Sequence, residues 1–199
     1  MNTYRMENSA KGLPYKITFA RYLQRTIGQF LLQEEEFMNL LHRLDQKIEA
    51  TQKEMSETGV VKECADCAVN GEETCCGEST GHKCDSILLF INLLLGRSLP
   101  TKAENNHLCF FLTKHGCILR ARPVICVNYI CNRLRSNIPH KKLVQLQEIA
   151  GEELYTLFLL EEYIKKKNTI KMPKSNNTIF ELKPPRIITP PVSSRELLS

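Results

Sequence analysis

Apolar residues in the first third of the chain return at alternating spacings of three and four, at Leu23, Ile27, Phe30, Phe37, Leu41, Leu44 and Ile48. That period predicts one long amphipathic helix or a broken pair, with Glu34 at the one polar position of the seam. The seam suits a dimerising coiled coil or a helix laid on its own domain. The second is favoured, because only a few heptads are present and Leu31, Leu32, Met38 and Leu40 widen the stripe. Glu34 would then tune pairing or snorkel to solvent.

The pattern changes after residue 54. Periodicity fades over Glu54–Val69, and Thr58-Gly59 ends the helical signal. Asp85-Ser86 can cap a short helix over Ile87–Leu95, closed by Gly96 and Pro100. A helix apolar all round has to be buried, and the N-terminal helix is the surface to bury it. Leu143, Leu146, Ile149, Ala150, Leu154, Leu157, Phe158 and Ile164 mark a further helix, and Lys165–Lys167 complement the dipole at its C-terminal end. From Asn168 onward, Pro173, Pro184, Pro185, Pro190 and Pro191 predict an extended or disordered tail.

The chain therefore divides into an N-terminal helical region (1–63), a central module (64–135), a C-terminal helix (136–167) and a proline-rich basic tail (168–199). The expected fold is mainly α, with helices packed around a small irregular cysteine-rich module. At 199 residues the chain can bury a core. The start is polar rather than a charged segment followed by an apolar one. The longest apolar run, Ile87–Leu95, is interrupted by Asn92 and reaches about half of the roughly 20 residues a membrane span needs. A cytoplasmic protein with no membrane partner is expected.

Charge adds little. Acidic and basic side chains balance within residues 1–63 and within 64–131, so the whole net charge of +5 sits in residues 132–199. A basic tail invites a nucleic-acid partner, but no series of stacking aromatics accompanies it. The remaining partner classes are another protein or a second copy of the chain through the N-terminal helix.

Cysteine changes the picture. All nine cysteines lie between Cys64 and Cys131, and the flanking regions have none. Small apolar core residues would not respect such a boundary, and an odd number in a reducing compartment argues against a disulfide framework. Cys64-Ala-Asp-Cys67 has the spacing that turns two sulfurs toward one ion while the intervening backbone donates to them. Cys75-Cys76 follows, in a stretch that Gly71 and Gly77 allow to fold back. Adjacent cysteines rarely chelate one metal together, so this pair serves two sites, bridges two ions, or supplies one ligand and one packed thiol.

Downstream, His115-Gly116 reads as a turn returning Cys117 toward Cys109, and Pro123 suits the start of a helix carrying Cys126. If that helix ran over residues 124–135, Cys126 and Cys131 would stand about 140° apart around its axis and could not both face one metal. Thiolate clusters accumulate negative charge. Arg120, Arg122, Arg133 and Arg135 lie beside these cysteines as candidate donors to the sulfurs, with Arg122 singled out by its place before Pro123.

Cys64-x2-Cys67…Cys75-Cys76, Cys109-x-Phe111-Leu112, Gly116-Cys117-x-Leu119 and Arg122-Pro123-x2-Cys126 occur in the order of the motifs of a known family. The segment 64–131 resembles the YkgJ-like cysteine-cluster family, a zinc- or iron-chelating domain also found in flagellin lysine N-methylases. Two departures stand out. Seven residues separate Cys67 from Cys75, where many members are tighter, and Phe110 stands where a proline is common. The resemblance implies metal binding by Cys64, Cys67, Cys75, Cys76, Cys109, Cys117 and Cys126. Cys131 is added to that set, and Cys84 is the weakest candidate.

The implied cofactor is an iron–sulfur cluster or zinc. Seven or more cysteines exceed one structural zinc site and tip the reading toward iron–sulfur, with or without zinc. His82, His107 and His115 are within reach in sequence as substitute ligands. Three functions compete. A metal-binding module without catalysis is favoured, and it predicts collapse of the fold when Cys67 or Cys126 is replaced. A metal-dependent protein-modifying enzyme related to flagellin lysine N-methylase lacks a glycine-rich loop for an adenosyl cofactor. A thiol-based redox or metal-handling protein would need thiols activated by the neighbouring arginines.

Overall fold

The structure is a computed structural model that describes residues 12–70 and 74–167. The tail and residues 1–11 lie outside that range. The chain is mainly helical. Helix α1 (Leu13–Leu23) begins with Pro14 in its first turn and continues through a π-helical stretch, Gln24–Gly28, into a last turn, Gln29–Leu31. The π turn shifts the helical register. Leu23, Ile27 and Leu31 are buried, whereas Phe30, which the seam places inside, is 69% exposed.

Helix α2 (Glu35–Glu57) follows after a break at Leu32–Gln33. Its apolar face, Phe37, Leu41, Leu44 and Ile48, is buried within the chain against α7 (His140–Lys166). The seam is an intrachain surface, the second of the two arrangements expected. Pairings of Glu34 with Tyr163, Lys47 with Glu152 and Glu54 with Gln145 run in opposite sequence directions, so the two helices are antiparallel. Glu34 precedes the first turn of α2, where it accepts from the Tyr163 hydroxyl at 2.5 Å and pairs with Lys167 at 2.5 Å. Both contacts hold its carboxyl below the usual range, Lys167 first and Tyr163 second.

Helix α4 (Ser86–Leu94) is the apolar helix expected from the sequence. The Asp85 carboxylate caps it by accepting from the Leu88 amide at 2.8 Å. Every residue from Ser86 to Leu93 is buried, chiefly against α1. Its one amide side chain, Asn92, is fully satisfied in that interior. Asn92 Nδ2 donates to Leu88 O at 2.9 Å and Ala121 O at 2.8 Å, while Oδ1 accepts from the amides of Arg120 at 2.7 Å and Ala121 at 3.1 Å. The apolar helix thereby grips the strand of chain that leads into Arg122-Pro123.

Gly59, at φ +87°, turns the chain from α2 into α3 (Val60–Asn70). A hairpin, β1 (Leu112–Thr113) with β2 (Gly116–Cys117), and two short helices, α5 (Val124–Asn128) and α6 (Asn132–Asn137), complete the module. The main core joins α1, α2, α4 and α7 with Cys84, Cys109, Phe111 and Leu119. A smaller one, Met55, Val60, Leu134, Ile138, Leu143 and Leu146, underlies α3 and α6 and packs Cys131. Among the described residues no helix is long and apolar enough to cross a membrane.

Candidate metal centre

Cys64 and Cys67 stand on α3 rather than in the turn their spacing suggests. Three apart on a helix, they still share a face. α6 is fastened to that helix by Arg133, which donates through Nε to Glu63 at 2.9 Å and binds Asp66, and by Asn137, which donates to Glu63 at 2.8 Å. Cys131 is the N-cap residue of α6 and is therefore delivered beside α3. The continuous helix over residues 124–135 does not form. It breaks at Tyr129–Cys131, which removes the geometric conflict between Cys126 and Cys131.

Cys76 is held by backbone contacts. Its carbonyl accepts from the Cys109 amide at 2.6 Å, beside an antiparallel bridge between Gly77 and Leu108. The expected return at His115-Gly116 is a β-hairpin whose turn needs the left-handed φ of +101° at Gly116. Cys117 pairs with Leu112, close behind Cys109. The Cys126 amide donates to Pro123 O at 2.8 Å, which starts α5 just beyond the segment anchored by Asn92.

Burial and neighbouring thiols act on these groups together. Burial raises the Cys64 thiol to about 11, with Cys75, Cys131 and Cys67 adding and Arg122 opposing. Burial raises Cys75 as well, followed by Cys131 and Cys67. Cys76 is pushed up to about 11 by burial and then by Cys109 and Cys117, with smaller effects of Cys64 and Cys75. Cys126 reaches about 12 through burial, then Cys117, Cys76 and Cys109, against Arg122. Cys64 and Cys117 keep exposed surface, yet enough protein surrounds each sulfur to disfavour the thiolate.

Backbone amides work in the other direction. Burial raises Cys109 and Cys117, but the amides of Phe111 and Leu112 pull Cys109 back, and the Leu119 amide does the same for Cys117. Amides two and three residues ahead of a sulfur are the partners a ligating thiolate requires.

The four arginines have separate fates. Arg120 is committed to α2, donating to Asp45 Oδ1 at 2.7 Å, Asp45 O at 3.3 Å and Gln52 Oε1 at 2.9 Å. Arg133 serves the α3 carboxylates, and Arg135 is exposed. Arg122 is the one of the four that acts on thiols, namely Cys64, Cys117 and Cys126. Its Nε is buried without a hydrogen-bond partner among the described residues. Sequence patterning did not single out its counterpart, Glu153 of α7, which is fully buried with neither oxygen hydrogen-bonded among the described residues. Thr51 faces that carboxyl, but its hydroxyl donates to Lys47 O at 3.1 Å. Burial raises the Glu153 carboxyl, with Thr51, Arg122 and Arg120 opposing. The available signal was an acid at helical spacing between Ala150 and Leu157.

All nine cysteines are unbridged. Among the described residues, no three His, Cys, Asp or Glu side chains converge closely enough to hold a metal ion. His82, His107 and His115 are exposed. Cys84 is buried in the main core, beside Cys126, Cys109 and Cys117 but behind them. Val61, Val69, Val124, Ile125 and Tyr129 form exposed apolar positions flanking the cysteines. A shallow depression of about 590 Å³, lined by Glu35, Glu36, Asn39, Leu40 and Arg43, lies at the other end of α2 and brings no reactive groups together. The chain matches no protein-family model, no curated protein and no solved structure.

Proposed function

We propose that this is a metal-binding protein of the YkgJ-like cysteine-cluster kind, holding zinc or an iron–sulfur cluster through thiolates at one end of a helical bundle, with binding rather than catalysis as its activity. The observation that carries the reading is the confinement of nine unbridged cysteines to residues 64–131, several of them near enough to influence one another's thiols, with Arg122, whose Nε is buried without a hydrogen-bond partner among the described residues, acting on Cys64, Cys117 and Cys126. Their donor chemistry fits a thiophilic centre: sulfur ligands, amides directed at Cys109 and Cys117, and a cation to offset the surplus negative charge.

Binding must displace the thiol protons, since burial and crowding keep these groups neutral near pH 7. That direction is opposite to the one a nucleophilic sensor thiol needs. A reducing, cytoplasmic setting suits nine unbridged thiols. The apolar positions beside the cysteines support a protein partner at this end.

The test is elemental analysis with an ultraviolet–visible spectrum of protein purified without oxygen. Stoichiometric zinc, or iron with acid-labile sulfide and charge-transfer absorbance, is the expected result. Protein that carries neither, and takes up neither on reconstitution, would refute the reading.

A further inference from the structure

We propose that the outward face of α7 is a self-association surface, on which a second copy of this chain lays its own α7 antiparallel about a two-fold axis near Gly151.

Helix α7 is apolar on two sides. The inward side, from Leu143 to Ile164, is buried against α2 and both cores. On the other side Val144, Tyr155 and Phe158 are exposed, at 39%, 56% and 53%. They are the exposed large apolar residues of this helix, and at 3.6 residues per turn they fall within about 60° of one another. Exposed apolar side chains scattered singly are ordinary, but a single stripe marks a contact surface. Helix α2, the partner of α7 inside the chain, exposes one large apolar side chain, Met38.

Gly151 interrupts the stripe near its middle. Glycine weakens a helix interior relative to alanine, and here the chain's own packing does not call for it, since a methyl group at Gly151 would meet nothing within 4 Å. What the glycine does leave is a notch in the exposed stripe, where the backbone of another helix can approach closely.

Charge selects the occupant. Lys141 and Lys142 stand in the first turn of α7, which holds no acid, and the helix dipole disfavours cations there. Towards the other end, Glu161 and Glu162 share one cation, Lys165, at 3.4 and 3.0 Å. Lys141 and Glu161 are equidistant in sequence from Gly151, and so are Val144 and Phe158. An antiparallel copy centred on Gly151 therefore sets the lysines of each chain against the glutamates of the other and joins Val144 to Phe158 at both ends. A parallel copy would oppose like charges. A two-fold contact needs only one self-complementary stripe, which this helix has. From Lys141 to Glu162 the stripe runs about 30 Å. One helix pair of that length lies at the small end of specific interfaces, so association in the micromolar range is expected.

Sedimentation velocity of the full-length chain from about 1 to 200 μM tests this, in reductant so that no thiol bridges two copies. Wild type should pass from monomer to dimer over that range. Phe158→Glu should weaken association by about tenfold or more. Lys141→Glu and Glu162→Lys should each weaken it by about fivefold at low salt, because each places like charges together. An equimolar mixture of those two variants should restore the wild-type behaviour, since every reversed charge then meets its complement. Far-ultraviolet circular dichroism checks the folding of each variant, and should Phe158→Glu unfold, the two charge variants and their mixture carry the test.

A wild type that stays monomeric to about 200 μM overturns the proposal and leaves the stripe to a different protein or to residues 168–199 of the same chain. A dimer that none of the variants weakens forms elsewhere and overturns it too. Variants that weaken the dimer without recovery in the mixture overturn the antiparallel arrangement. The metal-binding reading stands or falls separately from all of these results.

Discussion

The Cys109 amide donates to the Cys76 carbonyl at 2.6 Å and so ties two cysteines that lie on either side of α4 in the sequence. A main-chain bond of this kind positions sulfurs without using them. The two cysteine-bearing segments therefore hold their relative places through peptide groups, and the thiols stay available.

Asn92 does the equivalent work from inside the core. Asn92→Ala leaves the amides of Arg120 and Ala121 and the Ala121 carbonyl without their partner, and buried unpaired groups cost about 1–3 kcal/mol each. Allowing for relaxation, a loss of about 3 kcal/mol is expected in urea unfolding. Under the metal-binding reading, metal content should fall with it, because Asn92 anchors the segment that leads to Cys126.

Arg122 is the cation that acts on three of the cysteines. Arg122→Ala removes charge compensation from Cys64, Cys117 and Cys126 together, so zinc affinity should drop by about tenfold or more. Competition with a chromogenic chelator measures it. Arg120→Ala, which loses contacts to Asp45 and Gln52 instead, should lower thermal stability and leave affinity nearly unchanged.

Glu153 makes stability depend on pH. Burial raises its carboxyl, so between the ordinary value of about 4.3 and the raised one the folded chain keeps a proton that the unfolded chain has released. This contribution is complete below the ordinary value and is lost as pH climbs through the raised one. Glu153→Gln should flatten that decline. Urea midpoints at pH 5 and pH 8, taken at matched metal content, would show a wild-type decrease that the variant lacks.

Chelation should loosen the module and spare the bundle. The main core is shared by α1, α2, α4 and α7 and contains only Cys84 and Cys109 among the cysteines. Most of the far-ultraviolet helical signal is expected to survive metal removal, in contrast to the collapse expected from the sequence. Leu44→Ala, which opens that core, should cost about 2–5 kcal/mol with or without metal.

Period carried most of the architecture. Phe37, Leu41, Leu44 and Ile48 announced α2, and Asp85 with Gly96 bounded α4, because burial and capping are local constraints written at fixed spacings. Phe30 was misplaced, since a π turn leaves no signature in hydrophobic spacing. Cys64 and Cys67 were read as a turn, because a pair three apart is compatible with both turn and helix. The division of labour among Arg120, Arg122 and Arg133 was illegible. It depends on Asp45, Gln52, Glu63 and Asp66, which only the fold brings near.

Cys84, at 1% exposure inside the main core, carries a thiol that solvent does not reach in the closed molecule. An alkylating reagent can modify it only when the core around it opens. It is a chemical clock set within the bundle, and its labelling rate would time the molecule's openings independently of whatever the other eight cysteines hold.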